Sequence, residues 1–330
     1  MTVDLPLVFA GLMGLAILAY VILDGYDLGV GILLPFATRT EQDHMVASIG
    51  PFWDANETWL VLGVGLLLIA FPAAHGLILG TLYLPVLTML IFLMLRGAAF
   101  ELRVKADGWH RELWNRIFFV GSLGAALSQG VMVGALVTGF RTEAPYWLFN
   151  SLVALGMAGG YALLGATWLI MKAEGELQRK ALRLARTALL AVGAGVAAVS
   201  IATPLVSRTV FDKWFNFPDT FALMLLPLAT LAAGAAVWRS VGHLQNGSST
   251  SEWRPFAAAA AIFVLAFAGL AYSLFPYIVI DRMTIWQAAS HSSALKVILA
   301  GALVVLPFII GYTVFSYRVF WGKARELTYG

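Results

Sequence analysis

Long apolar runs separated by short polar segments divide the chain into nine stretches, each long enough to cross a lipid bilayer. A transmembrane helix needs about 20 mostly apolar residues. The runs lie at 6–34, 54–73, 77–100, 115–138, 147–171, 184–204, 219–238, 256–279 and 295–320. Continuous runs of this length differ from the roughly ten-residue alternating segments of an outer-membrane barrel. The pattern predicts an all-α, polytopic membrane protein with about nine transmembrane helices in bundles.

The composition excludes a soluble fold. Of the 330 residues, 60% are hydrophobic and 12% are charged, against about 25% charged in an ordinary soluble domain. The absence of cysteine excludes disulfides, thiolate metal sites, Fe–S clusters and a cysteine nucleophile. We expect a single integral membrane domain over 1–330. A first helix group at 1–138 carries the cluster of polar residues described below, and a second group follows at 147–320.

Lysine and arginine are distributed unequally between the two sets of loops. Fifteen of the 21, from Arg39 to Arg325, fall on the side that follows the odd-numbered runs; five fall on the other side, and Arg96 lies inside the third run. The positive-inside rule then places the N-terminus outside and the C-terminus in the cytoplasm. The same rule explains the net charge of +3 and the pI near 9.2 without a nucleic-acid partner.

Three polar residues open the second run, PFWDANETWLVLGVGLLLIAFP from Pro51 to Pro72. They are Asp54, Asn56 and Glu57. A charged side chain at the centre of a membrane helix costs about 2.5–3.5 kcal/mol, so such residues need a reason to be there. Two interpretations remain open. Asp54 can be an N-cap with Glu57 at N3, which is an acidic variant of the capping box, or the pair can accept protons or bind a cation.

The predicted orientation brings further charged side chains to the same cytoplasmic third of the bundle. The five carboxylates and one guanidinium are those of Asp24, Asp27, Asp54, Glu57, Glu101 and Arg96. Arg96 is the expected counter-charge, because a guanidinium stays protonated and can bridge two carboxylates. Apolar residues continue from Leu28 to Phe36, which favours a buried role for Asp24 and Asp27 over a helix end already in water. We expect a hydrated pocket that opens to the cytoplasm.

The positions of the histidines indicate whether the chain can bind haem or a metal ion. Low-spin haem in a helical bundle needs His or Met ligands at membrane depth, and the five histidines all fall in predicted loops or at helix ends. The sequence therefore predicts neither a haem nor a metal site in this chain alone. It also contains no HExxH motif.

Four strings in the first three runs carry a family resemblance: DGYDLGVG at 24–31, PFWDANETWL at 51–60, AFP at 70–72 and RGAAFELR at 96–103. In this order and spacing, the chain resembles subunit II of the bd-type quinol oxidases, including their cyanide-insensitive branch. Ala55 departs from the family pattern, in which the W-D-G-N string commonly has glycine at this place. An added methyl group should affect only local packing.

The resemblance implies a heterodimer in the bacterial cytoplasmic (inner) membrane. A larger subunit I would carry haems b and d and the quinol-oxidation site, and this chain would be its haem-free partner. The pair would oxidise quinol, reduce oxygen to water and take protons from the cytoplasm. A small accessory subunit can accompany such a pair, and relatives can hold a quinone in a structural role.

The resemblance also assigns roles to residues. Asp54 is the expected entry of the proton path, with Asp24, Asp27 and Glu57 as further members. Support of the cluster falls to Arg96, Trp53, Asn56 and Glu101. The rival interpretation is a stand-alone proton- or sodium-coupled secondary transporter. Such proteins often contain inverted repeats with a binding site at the midplane of the membrane. In this sequence no inverted repeat is evident, and the charged side chains lie near one face of the membrane. A purely structural assembly subunit remains a third possibility.

Overall fold

The computed structural model describes residues 4–247 and 251–324, in which nine helices are long and apolar enough to cross a membrane. These are α1 (Leu5–Leu33), α3 (Trp53–Ala70), α5 (Tyr83–Val104), α6 (Gly108–Val137), α7 (Ala144–Lys172), α8 (Gly175–Val206), α11 (Leu225–Gln245), α12 (Arg254–Leu274) and α14 (Ser292–Val319). All nine predicted runs are therefore confirmed. Arg325 and the residues 248–250 of the polar loop before α12 lie outside the described residues.

Shorter elements connect the spanning helices. They are a 3-10 turn (Leu34–Phe36), α2 (Arg39–Ile49), α4 (Pro72–Thr81), α9 (Arg208–Trp214), α10 (Asp219–Leu223), α13 (Ile285–Ala288) and the strands β1 (Tyr277–Val279) and β2 (Met283–Thr284). The strands pair antiparallel as a small hairpin. None of these elements is long enough to cross a bilayer, and the apolar runs did not separate all of them from the spanning helices. The run at 77–100 includes the end of α4, the run at 219–238 includes α10, and the run at 256–279 includes β1.

Two spanning helices begin earlier than the apolar pattern indicates. The structure starts α6 at Gly108 and α8 at Gly175, against predicted starts at 115 and 184. The added turns contain charged residues that form ion pairs within one helix, such as Arg179 with Glu176. Such pairs stabilise an exposed helical turn by a few tenths of a kcal/mol. Hydropathy detects the part of a helix that lipid surrounds and misses a polar extension of the same helix.

Glycine allows α1 to approach α7 closely. A Cβ atom added to Gly29 would lie 1.8 Å from the carbonyl oxygen of Tyr161, and one added to Gly165 would lie 2.3 Å from the carbonyl carbon of Gly29. Such backbone contact is typical of small residues at membrane helix interfaces. α1 also packs on α3 and α6, so it lies inside the bundle with helices on several sides.

The two ends of the bundle differ in chemistry. At the end where α1, α5, α7 and α14 terminate, which we call the basic end, charged side chains join the connecting segments. The contacts are Arg103 Nη2 and Arg111 Nη2 to Asp43 Oδ1 (2.8 and 2.7 Å), Lys180 Nζ to Glu41 Oε2 (2.5 Å), Lys323 Nζ to Glu252 Oε2 (2.5 Å) and Lys172 Nζ to the Phe320 carbonyl (2.8 Å). The opposite end carries the β-hairpin, with Trp286 donating to Asp4.

Helix α2 begins with a capping box that adds a link to α8. The side chain of Glu41 accepts from the backbone N–H of Thr38 at 2.7 Å and from Lys180 Nζ at 2.5 Å. Burial opposes the ionised form, but the hydrogen bonds from Lys180 and Thr38 hold the pKa of Glu41 below its usual range. Ionised Glu41 therefore makes its full contribution to the stability of the folded protein above the unfolded-state pKa of about 4.3. This contribution is lost as the pH falls through the lower folded-state pKa.

Glu41→Gln should speed amide hydrogen exchange in α2 at neutral pH, because the variant loses the charge that Lys180 and Thr38 stabilise. The difference from the wild type should shrink as the pH is lowered, since wild-type Glu41 then becomes protonated. Glu174→Gln, at an exposed N-cap position without a side-chain cap bond, is the matched control. Equal exchange rates in α2 of Glu41→Gln and the wild type at neutral pH would contradict the role given to Glu41.

Candidate functional site

The two aspartates of α1 are completely buried. Asp24 and Asp27 are both 0% exposed, because α1 continues through the apolar residues after them and ends only at Leu33. The alternative of a helix end in water is therefore wrong for this pair. The buried glycines beside them leave room for α7, and its approach completes their enclosure.

Arg96 on α5 lies between two carboxylates that come from different helices. Its side chain is 1% exposed, and Nη2 lies 2.7 Å from Asp24 Oδ1 on α1 and also pairs with Glu57 on α3. The side chain of Glu57 is 30% exposed, so the ion pair between Arg96 and Glu57 reaches toward the surface. The Nε and Nη1 atoms of Arg96, and both oxygens of Asp24, lack a well-oriented hydrogen bond among the described residues. The prediction that Arg96 is the counter-charge agrees with these contacts.

Asn56 is the polar centre of a second group. Its Nδ2 atom lies 2.8 Å from Asp27 Oδ2, 2.9 Å from the Tyr26 hydroxyl and 3.2 Å from the Leu23 carbonyl. Its Oδ1 atom accepts from the Tyr317 hydroxyl at 3.2 Å. The Tyr26 and Tyr317 hydroxyls are themselves 2.6 Å apart. Asn56 therefore joins Asp27 on α1 to a tyrosine on α14.

Asp54 lies outside both groups. It is exposed, and it forms no hydrogen bond or ion pair with the described residues. The capping interpretation is wrong, because α3 begins at Trp53, its N-cap is Phe52, and no side chain caps the helix. Asp54 instead stands in the first helical turn, three positions before Glu57. At that spacing the two carboxylates share one face of α3, so Asp54 marks where the cluster meets the surface.

Two predicted supporting residues form no side-chain hydrogen bond or ion pair with the charged groups among the described residues. Glu101 is exposed and forms no ion pair with the described residues. Five positions separate it from Arg96, which on an α-helix turns it about 140° away from the buried face. Trp53 is half-buried and packs on α5, with its ring 4.9 Å from that of Phe100. Trp53 therefore shapes the helix that carries Arg96, and the structure does not bring Glu101 to the cluster.

A further polar chain extends from α1 toward α7. The Tyr161 hydroxyl donates to Gln129 Oε1 at 2.5 Å, and Gln129 Nε2 donates to the Tyr20 hydroxyl at 2.7 Å. All three side chains are buried. Tyr20 stands one helical turn before Asp24, so the chain approaches the buried carboxylates from the side opposite to Asp54.

Sequence reasoning missed the tyrosines of the site. Tyr26 stands inside the DGYDLGVG string between the two aspartates, and its position was a usable signal. Tyr317 had no comparable signal, since it lies 261 residues after the asparagine that it contacts and in an apolar helix. Only the fold brings them together.

The arrangement suits proton transfer better than metal binding. Within each of the two groups, the polar side chains lie within hydrogen-bond or ion-pair distance of a neighbour, and the guanidinium of Arg96 supplies a positive charge to the carboxylates of the first group. Among the described residues, no group of three or more His, Cys, Asp or Glu side chains is placed to hold a metal ion.

Comparison with known proteins gives a consistent result. The family described as cytochrome bd terminal oxidase subunit II matches residues 5–320. Subunit 2 of the cytochrome bd ubiquinol oxidase of Bacillus subtilis is 28% identical, with 94% of both chains covered. Subunit 2 of the Escherichia coli K12 cytochrome bd-I ubiquinol oxidase is 26% identical, with 96% of this chain and 94% of that protein covered.

A solved structure shares the fold. A chain of the bd oxidase from Geobacillus thermodenitrificans superposes with a TM-score of 0.76 at 15% identity, with 96% of this chain and 99% of that chain covered. At this identity the likeness concerns the fold alone.

Proposed function

Because the chain belongs to the cytochrome bd terminal oxidase subunit II family, we propose that its acidic cluster takes up protons for the reduction of oxygen to water. As subunit II of a cytochrome bd quinol oxidase, the chain is part of an oxidoreductase complex and has a subunit I as its partner. The stand-alone transporter is not favoured, since the family match extends over 5–320.

One observation carries the proposal: carboxyl groups lead from the surface into the bundle at one end. Asp54 is exposed, Glu57 is 30% exposed and Asp24 is completely buried behind Arg96. A bare proton cannot enter a low-dielectric interior without a large cost, so each protonatable group along the way lowers the barrier. This graded burial is what an inlet needs and what a merely structural ion pair does not need.

The proposal assigns a side to the cluster. The basic end faces the cytoplasm, and the complex lies in the bacterial cytoplasmic membrane. The bias of fifteen Lys and Arg against five supports this orientation. With the cluster at the basic end, the protons consumed would come from the cytoplasm.

Haems b and d are assigned to subunit I, and this chain to a haem-free role. The histidines support the assignment because none stands in the middle of a spanning helix among the described residues. His44, His75, His110, His243 and His291 lie in α2, in α4, in the first turn of α6, in the last turn of α11 and at the N-cap of α14. Two surface hollows of about 260 and 250 Å³ lie beside Trp321, and a structural quinone stays a prediction.

The larger subunit would cover the exposed face of α3. Asp54, Val61 and Leu68 recur every seven residues on this face, and the two apolar side chains are 72% and 50% exposed. Lipid could cover the apolar residues alone, but a carboxylate at the head of the same stripe calls for a polar neighbour or water. The partner would therefore lie beside the entry of the path and leave Asp54 open to water.

Asp54→Asn should slow oxygen consumption by the assembled oxidase about tenfold or more, with haem content retained. Positioned proton-transfer groups contribute roughly 10²–10⁴-fold, and water can replace part of that at an exposed site. Oxygen uptake by purified complex, normalised to haem, measures the effect. Glu101→Gln is the matched control, since Glu101 is an exposed carboxylate outside the cluster. Unchanged turnover in Asp54→Asn would favour a purely structural assembly subunit.

A further inference from the structure

Asp27 differs from the other buried carboxylates of the site because it forms no ion pair with the described residues. Asp24 and Glu57 both pair with Arg96, and Asp54 is exposed. Asp27 is 0% exposed and forms no ion pair among the described residues. Its Oδ2 atom lies within hydrogen-bond distance of Asn56, and its Oδ1 atom has no hydrogen-bond partner there.

The groups that face Asp27 disfavour a negative charge on it. The charged ones are Asp24 on the same helix, Glu57 on α3 and Arg96 on α5. Arg96 already pairs with both of the other carboxylates, so two negative charges and one shared positive charge surround Asp27. The remaining titratable neighbours are the neutral hydroxyls of Tyr26 and Tyr317. Burying an ionised carboxylate without its own cation costs far more than burying a neutral carboxyl.

We propose that Asp27 carries a proton in the resting oxidase and is the proton-holding carboxyl of the inlet, while Asp24 and Glu57 remain ionised beside Arg96. The inference rests on the proposed function, and it chooses one carboxyl among the four members of the predicted path. Asp54 then exchanges protons with water at the surface. Arg96 keeps Asp24 and Glu57 ionised at rest, so these two carboxylates hold a proton only while it passes.

Asn56 is the positioning residue for this carboxyl. A side-chain amide has two hydrogens to donate, whereas three acceptors lie within 3.2 Å of Asn56 Nδ2: Asp27 Oδ2, the Tyr26 hydroxyl and the Leu23 carbonyl. When Asp27 is neutral, the two hydrogens can satisfy Tyr26 and Leu23. When Asp27 releases its proton, one hydrogen can turn to the new charge. Asn56 therefore stabilises the short-lived ionised form.

The same exchange reaches α14. The Tyr26 hydroxyl lies 2.6 Å from that of Tyr317, which donates to Asn56 Oδ1. When the Asn56 amide turns one of its hydrogens from Tyr26 to ionised Asp27, the hydrogen bonding of both tyrosines changes. Loss of the Asp27 proton is thus transmitted to the terminal spanning helix.

Infrared spectroscopy of the purified oxidase, compared before and after reduction at several pH values, tests the protonation state directly. The expected result is a carbonyl band of a protonated carboxyl that shifts when the protein is made with isotope-labelled aspartate. The band should be lost in Asp27→Asn and retained in Asp54→Asn. A band that persists in Asp27→Asn, or that does not respond to labelled aspartate, would overturn the assignment.

Asn56→Leu provides a second test that leaves Asp27 in place. Without the amide, ionised Asp27 loses a hydrogen bond, so the pH profile of oxygen consumption should move by about one to two units toward higher pH. Asn56→Asp would add a competing carboxylate, so leucine, which is close in size, is the better variant. A lower rate with an unmoved pH profile would show a merely structural role and reject the inference.

These tests separate the two proposals. If Asp54→Asn leaves turnover intact while the aspartate band is present, the inlet fails and the protonation of Asp27 stands. If Asp54→Asn slows turnover and the band is absent, the inlet stands and the assignment of its proton to Asp27 fails.

Discussion

Replacing Arg96 with alanine should remove most of the assembled oxidase from the membrane. The variant leaves Asp24 completely buried without its cation and leaves Glu57 unpaired as well. Removing one partner of a buried ion pair typically costs about 3–5 kcal/mol, a large part of the roughly 5–15 kcal/mol by which a folded protein is stable. The measurements are the yield of both subunits in mild detergent, the haem spectrum and the thermal unfolding midpoint.

Two further variants show whether the loss comes from the unpaired charge. Arg96→Ala combined with Asp24→Asn should recover part of the yield, because the double variant no longer buries an uncompensated carboxylate. The pair should therefore show strong non-additivity in a double-mutant cycle. Arg141→Ala, at an exposed arginine whose side chain donates to Tyr146, should assemble normally. Normal stability of Arg96→Ala alone would show that Arg96 is not the counter-charge of the cluster.

Gly29→Ala should be the second most damaging change, although it adds a single methyl group. The new Cβ would lie 1.8 Å from the Tyr161 carbonyl oxygen and 2.8 Å from the Gly165 nitrogen. Both are backbone atoms of a spanning helix, so α1 and α7 must separate. Overpacking a tight interior costs about 1–3 kcal/mol and sometimes more, and here the shift also disturbs the helix that carries Asp24 and Asp27.

Gly11→Ala is the matched control for this change. Gly11 lies in the same helix, and a Cβ added there would meet no atom within 4 Å. We expect Gly11→Ala to keep the unfolding midpoint and the turnover of the wild type, while Gly29→Ala lowers the midpoint and the yield of complex. Equal midpoints for the two variants would show that α1 and α7 can move apart at little cost.

The spanning helices were predictable because lipid imposes a local rule. A segment in the hydrocarbon core must be about 20 residues long, apolar and internally hydrogen-bonded, and these properties can be counted along the chain. The polar extensions of α6 and α8 and the short helix α2 follow no such rule, since water and neighbouring charges stabilise them. The predicted boundaries were therefore wrong at the basic end, and they were also wrong at the opposite end, where α5 begins at Tyr83 and α12 ends at Leu274.

Residues of the candidate site could be predicted where a charged side chain stands in apolar surroundings, which is unusual. Asp24, Asp27, Glu57 and Arg96 stand out as ionisable residues next to or inside apolar runs, and the structure brings all four together. Glu101 looked equivalent because it is close to Arg96 in the chain. On a helix, however, closeness in sequence does not decide which face a side chain occupies.

Amino-acid order was sufficient for the membrane fold, the number of spans and the identity of most charged members of the cluster, because hydropathy and charge belong to individual residues and their neighbours in the chain. The folded protein alone distinguishes the carboxylates from one another. Asp24 pairs with an arginine from α5, Asp27 contacts an asparagine from α3 that Tyr317 of α14 also contacts, and Asp54 stays exposed. These differences depend on which helices meet, and therefore on backbone approaches such as that of Gly29 to α7, which no local pattern specifies.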